Sequence, residues 1–478
     1  MNTSTAFRSR LAALLATLEQ GLVERRHVVR MTLLAALAGE HTLLIGPPGT
    51  AKSELARRLH RAFRDARYFE RLLTRFSVPE ELFGPLSIRA LEQDRYERHT
   101  DGFLPDATIA FIDEVFKANS AVLNALLTLL NEREFDNGAG RQLCPLVSVI
   151  GATNEVPDDE VGEAFFDRFL LRIPVSAVSG DGFAALLAAG CADEWTPPAD
   201  ALLLGDEDLG AVSNAAQAVR LPARVVCLLA EVRAHLADEG AYVSDRRWVK
   251  TAWLLRVAAA AEGRDQVGPW DLLLLPACVA PDAGRQAAVA AWLLARLGVR
   301  AGFAPERLSR VVQAFQAQLE TEQNASDLDY DESGRLRFSA PEAMTEKAEE
   351  LAGVIGDAKG GAGALRMNYS RRRRYGPAHI AARTGQIDDL LARIAGYAEE
   401  LTAERASLAA ARAHTLWLDD GLLAALDARL ADTAAVIAGL AERARDARRG
   451  FDNLPRLSAE EAARFSDLPE PVEHEPLA

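Results

Sequence analysis

Apolar residues in the first 190 positions alternate between short continuous runs and helix-like spacing. The runs HTLLI at 41–45, ATIAFID at 107–113 and PLVSVIGAT at 145–153 predict strands. The last two are almost wholly apolar, as strands are when helices cover both faces of a parallel sheet. The pattern therefore predicts an α/β fold with a parallel sheet between helices.

The strand-like runs stop after Pro197 and Pro198, and helical spacing takes over. Segments 223–240 and 246–263 predict consecutive helices of an all-helical domain. Further on, apolar residues recur every seven positions, at Ile387, Ile394, Leu401 and Leu408 and again at Leu423, Leu430 and Ile437. A seven-residue repeat makes a coiled-coil seam, so we expect an antiparallel helical hairpin that turns near 419–421.

These changes of pattern predict an α/β domain at 1–196, a helical domain at 197–302 and a helical extension at 303–464. The extension contains a Gly- and Arg-rich interval at about 325–380. The acidic, proline-containing tail at 465–478 is predicted to be disordered.

Composition narrows the function classes. The chain has 478 residues, a formal charge of −15 and four cysteines without CxxC spacing. The negative charge argues against broad wrapping of nucleic acid, and the scattered cysteines fit a reducing, cytoplasmic setting without a zinc knuckle. The apolar stretch after Arg8 and Arg10 has no cleavage site, and no apolar run is long enough to cross a membrane, so we expect neither a signal peptide nor a membrane span.

The segment GPPGTAKS at 46–53 directly follows the first predicted strand and precedes a helix-like stretch. A glycine-rich turn at a helix N-terminus places backbone N–H groups around phosphate oxygens. We expect the lysine to reach the phosphates of ATP and the serine hydroxyl to hold Mg²⁺. The predicted nucleotide-binding residues are Gly46, Pro47, Pro48, Gly49, Thr50, Ala51, Lys52 and Ser53. Ala51 stands where the pattern has its second glycine, and we expect it to fit with a negative φ.

Two other predicted strands end in side chains that ATP hydrolysis needs. ATIAFIDE ends in Asp113, the predicted second Mg²⁺ ligand, and Glu114, the predicted general base for the attacking water. On its own, such an acidic pair is more often a solvated strand end. SVIGATN ends in Asn154, which we expect to orient that water, although asparagine is also common in turns.

Arginines stabilise the charge of a transferring phosphoryl group. EAFFDRFLLRI at 163–173 offers Arg168 as a finger for a neighbouring subunit's nucleotide, with Arg172 and Arg133 as rivals. In the helical domain, SDRRW at 244–248 offers Arg246 as a lid sensor. A single arginine is more often a surface charge, so each assignment rests on its context.

Together GPPGTAKS, TRFSVPEELFGPLS, FIDEVFKANSAVLNALLTLLNEREF, GATNEVP and DRF resemble the MoxR family of AAA+ ATPases. YVSDRRW and the helical C-terminal region are most similar to its RavA subfamily. The resemblance implies an αβα domain with a β-hairpin inserted in its second helix, within about 82–104, and a four-helix lid. It also implies a homo-hexameric ring, Arg168 acting in trans, Arg246 as second sensor, and chaperone-like work with a von Willebrand factor A-domain partner.

One departure concerns the small β-rich domain that RavA-like chains carry in their helical C-terminal region. Here the interval at about 325–380 has little strand pattern beyond RLRFS, so we infer that this domain is missing or vestigial. Within it, DLDYDESG at 327–334 lacks the glycine and glutamate of a calcium loop. The run Arg371 to Arg374 predicts a disordered basic loop, with binding to an acidic partner or nucleic acid as the alternative.

We therefore expect a Mg²⁺-dependent ATPase that remodels a protein client of unknown identity. A nucleic-acid translocase stays open as an alternative, using the inserted hairpin and the arginine run. A slowly hydrolysing, nucleotide-switched scaffold is a second alternative, against which Glu114 and Asn154 argue.

Overall fold

The computed structural model describes residues 3–138, 140–155, 160–189, 195–327, 371–458 and 468–477. They form two compact units. Unit 1 comprises Met1–Leu297 and Ala406–Arg429, and unit 2 comprises Gly298–Arg405 and Leu430–Ala478. The nucleotide-binding motifs all lie in unit 1.

A parallel sheet organises unit 1. Unit 1 contains the strands β1 (His41–Ile45), β2 (Tyr68–Leu72), β3 (Ile109–Asp113), β4 (Glu134–Asp136), β5 (Arg141–Leu143), β6 (Ser148–Thr153) and β7 (Phe169–Pro174). Five of them form the parallel sheet, in the order β2-β3-β6-β1-β7, and β4 and β5 form a separate antiparallel hairpin. Every residue of β6 is buried, as are all but the last of β1 and β3. The predicted α/β fold with a doubly covered parallel sheet is thus confirmed.

Eight helices accompany the sheet in the described part of unit 1: α1 (Thr3–Glu19), α2 (Arg26–Leu37), α3 (Lys52–His60), α4 (Pro79–Phe83), α5 (Ile88–Leu91), α6 (Ser120–Glu132), α7 (Glu160–Phe166) and α8 (Phe183–Ala189). Because β1 lies between β6 and β7, the loops after β1, β3 and β6 meet at the edge where the strands end. We call this the carboxyl edge, and the edge where the strands begin the amino edge.

The β-hairpin expected within 82–104 takes a different form. Its ends meet in a single antiparallel bridge between Leu86 and Arg98, and the segment they enclose contains the short helix α5. Ser87 caps this helix by accepting a hydrogen bond from Ala90 N, which favours a helical turn over an extended strand. The regular hairpin of this part of the chain is β4–β5, which follows α6.

The helical lid also belongs to unit 1, and the prediction of an all-helical domain is confirmed. Its helices are α9 (Asp206–Ala218), α10 (Ala223–Asp238), α11 (Asp245–Ala261), α12 (Leu275–Val279) and α13 (Ala283–Arg296). Helix α11 is the central member, since it packs against α9, α12 and, outside the lid, α2.

The helical C-terminal region is confirmed as well. It contains α14 (Pro305–Asn324), α15 (Pro377–His414), α16 (Asp420–Asp452) and two short strands, β8 (Ser326–Asp327) and β9 (Arg371–Arg372). The seven-residue seam positions on α15 and α16 are all buried. The tip of this helix pair, 406–429, is part of unit 1, where Trp417 Nε1 donates to Ala258 O of α11 at 3.2 Å.

Two expectations about the C-terminal region need correction or restriction. The arginine run begins as strand β9, paired with β8, and Arg373 N donates to Ala325 O at 2.9 Å. It is therefore partly ordered by backbone pairing and is not simply a loop. Most of the interval at 325–380, with RLRFS and nearly all of the acidic loop, lies outside the described residues.

The tail was expected to be disordered, and its residues 465–467 and 478 lie outside the described part. Residues 468–477 instead run along α14 and α15 of unit 2, with Leu477 buried. Composition favours disorder when a segment finds no partner, whereas here the acidic side chain of Glu475 meets two arginines.

Candidate nucleotide-binding site

The P-loop, residues 46–53, connects β1 to α3. Its first glycine, Gly46, donates to Thr153 O at the end of β6, at 2.9 Å. A Cβ at Gly46 would lie 2.1 Å from Val175 O, so no other residue fits there without a backbone shift. The start of the loop is thus held between the ends of β6 and β7.

Ala51 corrects one expectation. Its φ is +67°, in the left-handed region, and not negative as the sequence analysis required. A side chain in this region costs about 1–2 kcal/mol relative to the right-handed one. Hydrogen bonds close the loop on both sides of Ala51, since Thr50 Oγ1 donates to Pro47 O at 3.0 Å and Leu55 N donates to Ala51 O at 3.0 Å.

Lys52 begins α3, and its ammonium lies inside the loop. The Nζ atom donates to Gly46 O and Pro47 O, each at 2.8 Å. Burial lowers the pKa of Lys52, while the carboxylates of Asp113 and Glu114 act in the opposite direction. Ser53, the predicted Mg²⁺ ligand, follows in the first turn of α3 and is half-buried.

The predicted acidic pair lies at the end of β3. Asp113 Oδ1 accepts a hydrogen bond from Glu114 N at 3.0 Å, and Glu114 has a left-handed φ of +50°. Asn154 Nδ2, after β6, donates to Glu114 Oε1 at 2.8 Å, and Lys117 Nζ pairs with Glu114 Oε2 at 3.3 Å. The structure therefore brings Glu114 and Asn154 together at the carboxyl edge, beside the P-loop strand.

The side chains fit a Mg²⁺ ion held largely by phosphate and water. Ser53 and Asp113 offer only two oxygen ligands, and Mg²⁺ commonly takes few protein ligands next to a nucleotide. The described residues contain no group of three or more His, Cys, Asp or Glu side chains that could hold a metal ion.

No described helix has the length and apolar character to cross a membrane.

Arg168 lies at the other edge of the sheet. It directly precedes Phe169, which pairs with His41, the first residue of β1. The P-loop begins only after β1 ends, so the two sites are separated by roughly 16 Å of strand. Arg168 is 20% exposed and 3.9 Å from Asp167 Oδ2, and burial and the charge of Arg246 lower its pKa.

Arg246 of the lid joins Arg168 at this amino edge. Its Nη1 donates to Asn131 Oδ1 at 3.3 Å, in the last turn of α6. That turn is itself fixed beside the start of β1, because His41 Nε2 contacts Leu130 O at 3.1 Å. The structure therefore groups the two predicted arginines, away from the P-loop of their own chain.

The rival arginines serve the packing of their own subunit. Arg133 has a left-handed φ of +55° and donates to three backbone carbonyls, those of Leu146, Val147 and Gly39. Arg172 is buried, with its guanidinium carbon 3.9 Å from the centroid of the Phe166 ring.

Arg247, the neighbour of Arg246, was not predicted to have a role. Its side chain is 3% exposed and joins the lid to β7 and the segment before it. It donates to Asp167 Oδ1, Asp167 O, Phe169 O, Leu170 O and Cys278 O, at 2.7 to 3.0 Å. Adjacent residues of a helix point in directions about 100° apart, so the surroundings of Arg246 and Arg247 can differ, but the sequence does not indicate which of the two is buried.

Arg25 was missed as well. This buried side chain lies in the turn between α1 and α2 and contacts the backbone of the P-loop. Its Nε donates to Thr50 O at 3.2 Å, and its Nη2 donates to Ser176 O, just after β7, at 2.6 Å. Nothing in the local pattern around 25 indicates a contact 25 residues away.

Comparison with known proteins agrees with this geometry. Residues 9–214 match the family described as the MoxR domain in the MoxR-vWA-beta-propeller ternary systems, and residues 224–293 match an AAA lid domain. Two uncharacterized proteins of Methanocaldococcus jannaschii are each 40% identical over 255 residues, 53% of this chain and 66% and 65% of theirs. The MoxR protein of Paracoccus denitrificans is 29% identical over 168 residues, 34% of this chain and 49% of that protein.

The chain spans about two thirds of the archaeal relatives that it matches. The matched regions contain the P-loop, the acidic pair, both edges of the sheet and the lid. Residues 9–214 are therefore similar to the MoxR domain of that family, and residues 224–293 to an AAA lid domain.

Proposed function

We propose that the chain is a Mg²⁺-dependent ATPase whose active site is completed by a neighbouring subunit. The observation that carries this proposal is the placement of Arg168 and Arg246 at the amino edge, opposite the P-loop. A cation about 16 Å of strand away does not reach the nucleotide of its own subunit. Presented to the next subunit, the same cation meets that subunit's phosphates.

Each side chain then has a defined task. Lys52 binds the phosphates of ATP. Ser53 and Asp113 would hold Mg²⁺, and a bound Mg²⁺ would neutralise part of the phosphate charge. Glu114 takes the proton of the attacking water, while Asn154, bonded to Glu114 at 2.8 Å, keeps the carboxylate and the water aligned. Arg168 and Arg246 from the neighbour stabilise the charge of the transferring phosphoryl group.

A contact between opposite edges of identical subunits is heterologous, so it either closes into a ring or continues as a filament. We propose a ring, and a hexamer in particular because of the resemblance to MoxR proteins. The RavA-like assignment and chaperone-like work on a protein client rest on the same resemblance. A von Willebrand factor A-domain partner is supported by the family that residues 9–214 match.

Complementation between two inactive variants tests the shared site. Glu114→Gln removes the base but keeps both arginines, and Arg168→Ala removes the finger but keeps the base. We expect each variant alone to be inactive and a co-expressed equal mixture to recover roughly a quarter of wild-type turnover, since one interface in four pairs an intact base with an intact finger.

The control is a mixture of the double variant, Glu114→Gln with Arg168→Ala, and the single variant Arg168→Ala. It stays inactive because neither chain carries the Arg168 finger. If Arg168 acts within its own subunit, the first mixture stays inactive too, and the shared-site proposal fails. Replacing Arg168→Ala by Arg246→Ala in the same experiment decides whether the lid arginine also acts in trans.

The client is sought separately. Glu114→Gln loaded with ATP and Mg²⁺ is expected to retain a specific protein from cell extract, and Lys52→Ala to release it because ATP binding is weakened. Recovery of nuclease-sensitive nucleic acid in place of a protein would favour the translocase and contradict the remodelling role.

A further inference from the structure

The tail segment, residues 468–477, lies in a groove of unit 2 between α14 and α15. No residue of this groove belongs to the nucleotide-binding site, which lies in unit 1. The segment forms no helix and no strand, and three of its ten residues are prolines. Its contacts fall into three kinds, which are described in turn.

The first is a charge clamp on Glu475. Arg310 donates to both carboxylate oxygens, Nε to Oε1 and Nη2 to Oε2, each at 3.1 Å. Arg307, one turn earlier on α14, lies 3.4 Å from Oε2 and also donates from Nη2 to Pro476 O at 2.7 Å. A two-pronged arginine contact of this kind is selective for a carboxylate.

The second kind of contact is hydrogen bonding to the backbone of the segment. Arg383 of α15 donates from Nη1 to Glu470 O at 2.6 Å. Its Nε is bound at 2.8 Å to the buried carboxylate of Glu322, which fixes the direction of the guanidinium before any peptide arrives. Gln386, one turn further along α15, accepts from Val472 N at 3.4 Å.

The third is an apolar anchor. Leu477 is 5% exposed, although the rest of the segment is largely solvent-facing and its other leucine, Leu468, is 71% exposed. The ring of His474 lies 5.7 Å from the ring of Phe315 on α14. Leu477 therefore anchors the end of a tail segment that is otherwise largely exposed.

A carboxylate clamp, donors and acceptors for the backbone and one apolar pocket are the parts from which peptide-binding grooves are made. We propose that this groove is a docking site for an acidic, extended, proline-containing peptide of a partner protein, anchored by a leucine. In the chain alone, the tail segment occupies the groove and competes with the partner peptide for it. Because the tail exposes most of its side chains, a partner peptide replaces it without uncovering a large core.

The test uses the full chain and a fluorescent peptide of sequence LPEPVEHEPL, which is residues 468–477. Leu477→Asp weakens the attached tail, and Leu468→Asp is the matched control in the same segment. By fluorescence anisotropy, the peptide is expected to bind Leu477→Asp about 10-fold or more tightly than the wild type or the control, because the tail no longer competes at high effective concentration.

Charge reversal tests the clamp in the same background. Adding Arg310→Glu to Leu477→Asp is expected to weaken binding of the peptide about 10-fold, and a peptide carrying lysine at the position of Glu475 to recover it. Arg449→Glu, an exposed arginine on α16 of the same unit, is the control and leaves binding unchanged.

Absence of peptide binding to Leu477→Asp, or equal binding to all three chains, overturns the docking site. The role of the tail as a competitor within its own chain is overturned if unlabelled wild-type chain displaces the labelled peptide from Leu477→Asp as efficiently as free peptide does. That result would place the tail in the groove of a second copy.

Discussion

At the scale of single residues, Ala51 shows how a P-loop tolerates a side chain where glycine is the rule. Its φ of +67° is left-handed, and the loop around it is closed by hydrogen bonds. Strain that persists because its surroundings over-determine it is typical of ligand-binding turns.

Ala51→Gly is therefore expected to stabilise the fold by roughly 0.5–1 kcal/mol, since relief of strain outweighs the added freedom of the unfolded chain. Thermal unfolding of unit 1 measures it. Ala56→Gly, in the interior of α3 of the same loop–helix unit, is the control and should destabilise instead. A lower melting temperature for Ala51→Gly would contradict the strain argument.

His41 is a second residue whose surroundings decide its chemistry. Its Nδ1 accepts from Val149 N at 3.0 Å, so Nε2 carries the proton and donates to Leu130 O. Complete burial holds the pKa of His41 well below its usual value, and the nearby charges of Arg133 and Lys250 act in the same direction.

A folded-state pKa below the unfolded value means that the unfolded chain binds the extra proton. The stabilisation is present above about pH 6.5 and is lost as the pH falls, by up to about 1.4 kcal/mol per pH unit. We expect His41→Gln to flatten the melting-temperature profile between pH 7.5 and 5.5, and His414→Gln, at an exposed position, to leave it unchanged. Identical slopes for wild type and His41→Gln would refute this.

At the scale of elements, the most consequential contact joins helix α11 to strand β7. Arg247 and Arg246 are adjacent on α11, yet the first is buried under five hydrogen bonds and the second reaches Asn131 from the surface. Arg247 holds the lid against β7, whereas Arg246 is the residue for which we propose a role in ATP hydrolysis.

This contrast predicts opposite effects for two adjacent substitutions. Arg247→Ala leaves buried carbonyls and Asp167 without their partner, so we expect a loss of about 3–5 kcal/mol in unfolding free energy. Arg246→Ala should change stability by no more than about 0.5 kcal/mol while abolishing ATP turnover. Denaturant unfolding and an ATPase assay on both variants check the pair, and equal destabilisation would show that the two residues do not divide these tasks.

The sequence was sufficient for elements that repeat a simple pattern. The strands ending at Ile45, Asp113 and Thr153 are continuous apolar runs, and the P-loop follows the first of them directly. Three features were not predicted, for different reasons. The burial of Arg247 results from contacts with residues far away in the sequence. The helical turn at Ile88–Leu91 is favoured by the local cap at Ser87, and the apolar pattern does not indicate the positive φ of Ala51.

The tail illustrates the same limit. An acidic, proline-containing segment has no local reason to order, and composition predicts disorder. Only the fold of unit 2 brings Arg307 and Arg310 to Glu475 and offers Leu477 a buried place.

At the scale of the whole molecule, the tip of the helix pair α15–α16 is part of the compact unit that contains the lid. Trp417 is 1% exposed and bonds to α11. Glu262, just after α11, accepts from Leu416 N at 2.7 Å and from Thr415 Oγ1 at 3.1 Å. The lid thus carries the end of the helical extension.

Trp417→Ala should detach this tip, because it removes the largest buried side chain of the contact at a cost of about 3–5 kcal/mol. We expect faster amide hydrogen exchange in residues 406–429, with exchange in the central sheet unchanged. Val436→Ala, a half-exposed position on α16, is the control and should leave the tip protected. Unaltered exchange in Trp417→Ala would mean that other contacts hold the tip.

The separation of Arg168 from its own P-loop also has an arithmetic consequence for populations of mixed chains. If each active site combines Glu114 of one copy with Arg168 of the next, a copy that lacks both residues inactivates two active sites and not one. Activity then falls with the square of the intact fraction, so an equal mixture of intact and doubly defective chains keeps about a quarter of full turnover. Such a defect is partially dominant, and the cell cannot dilute it by making an equal share of sound protein.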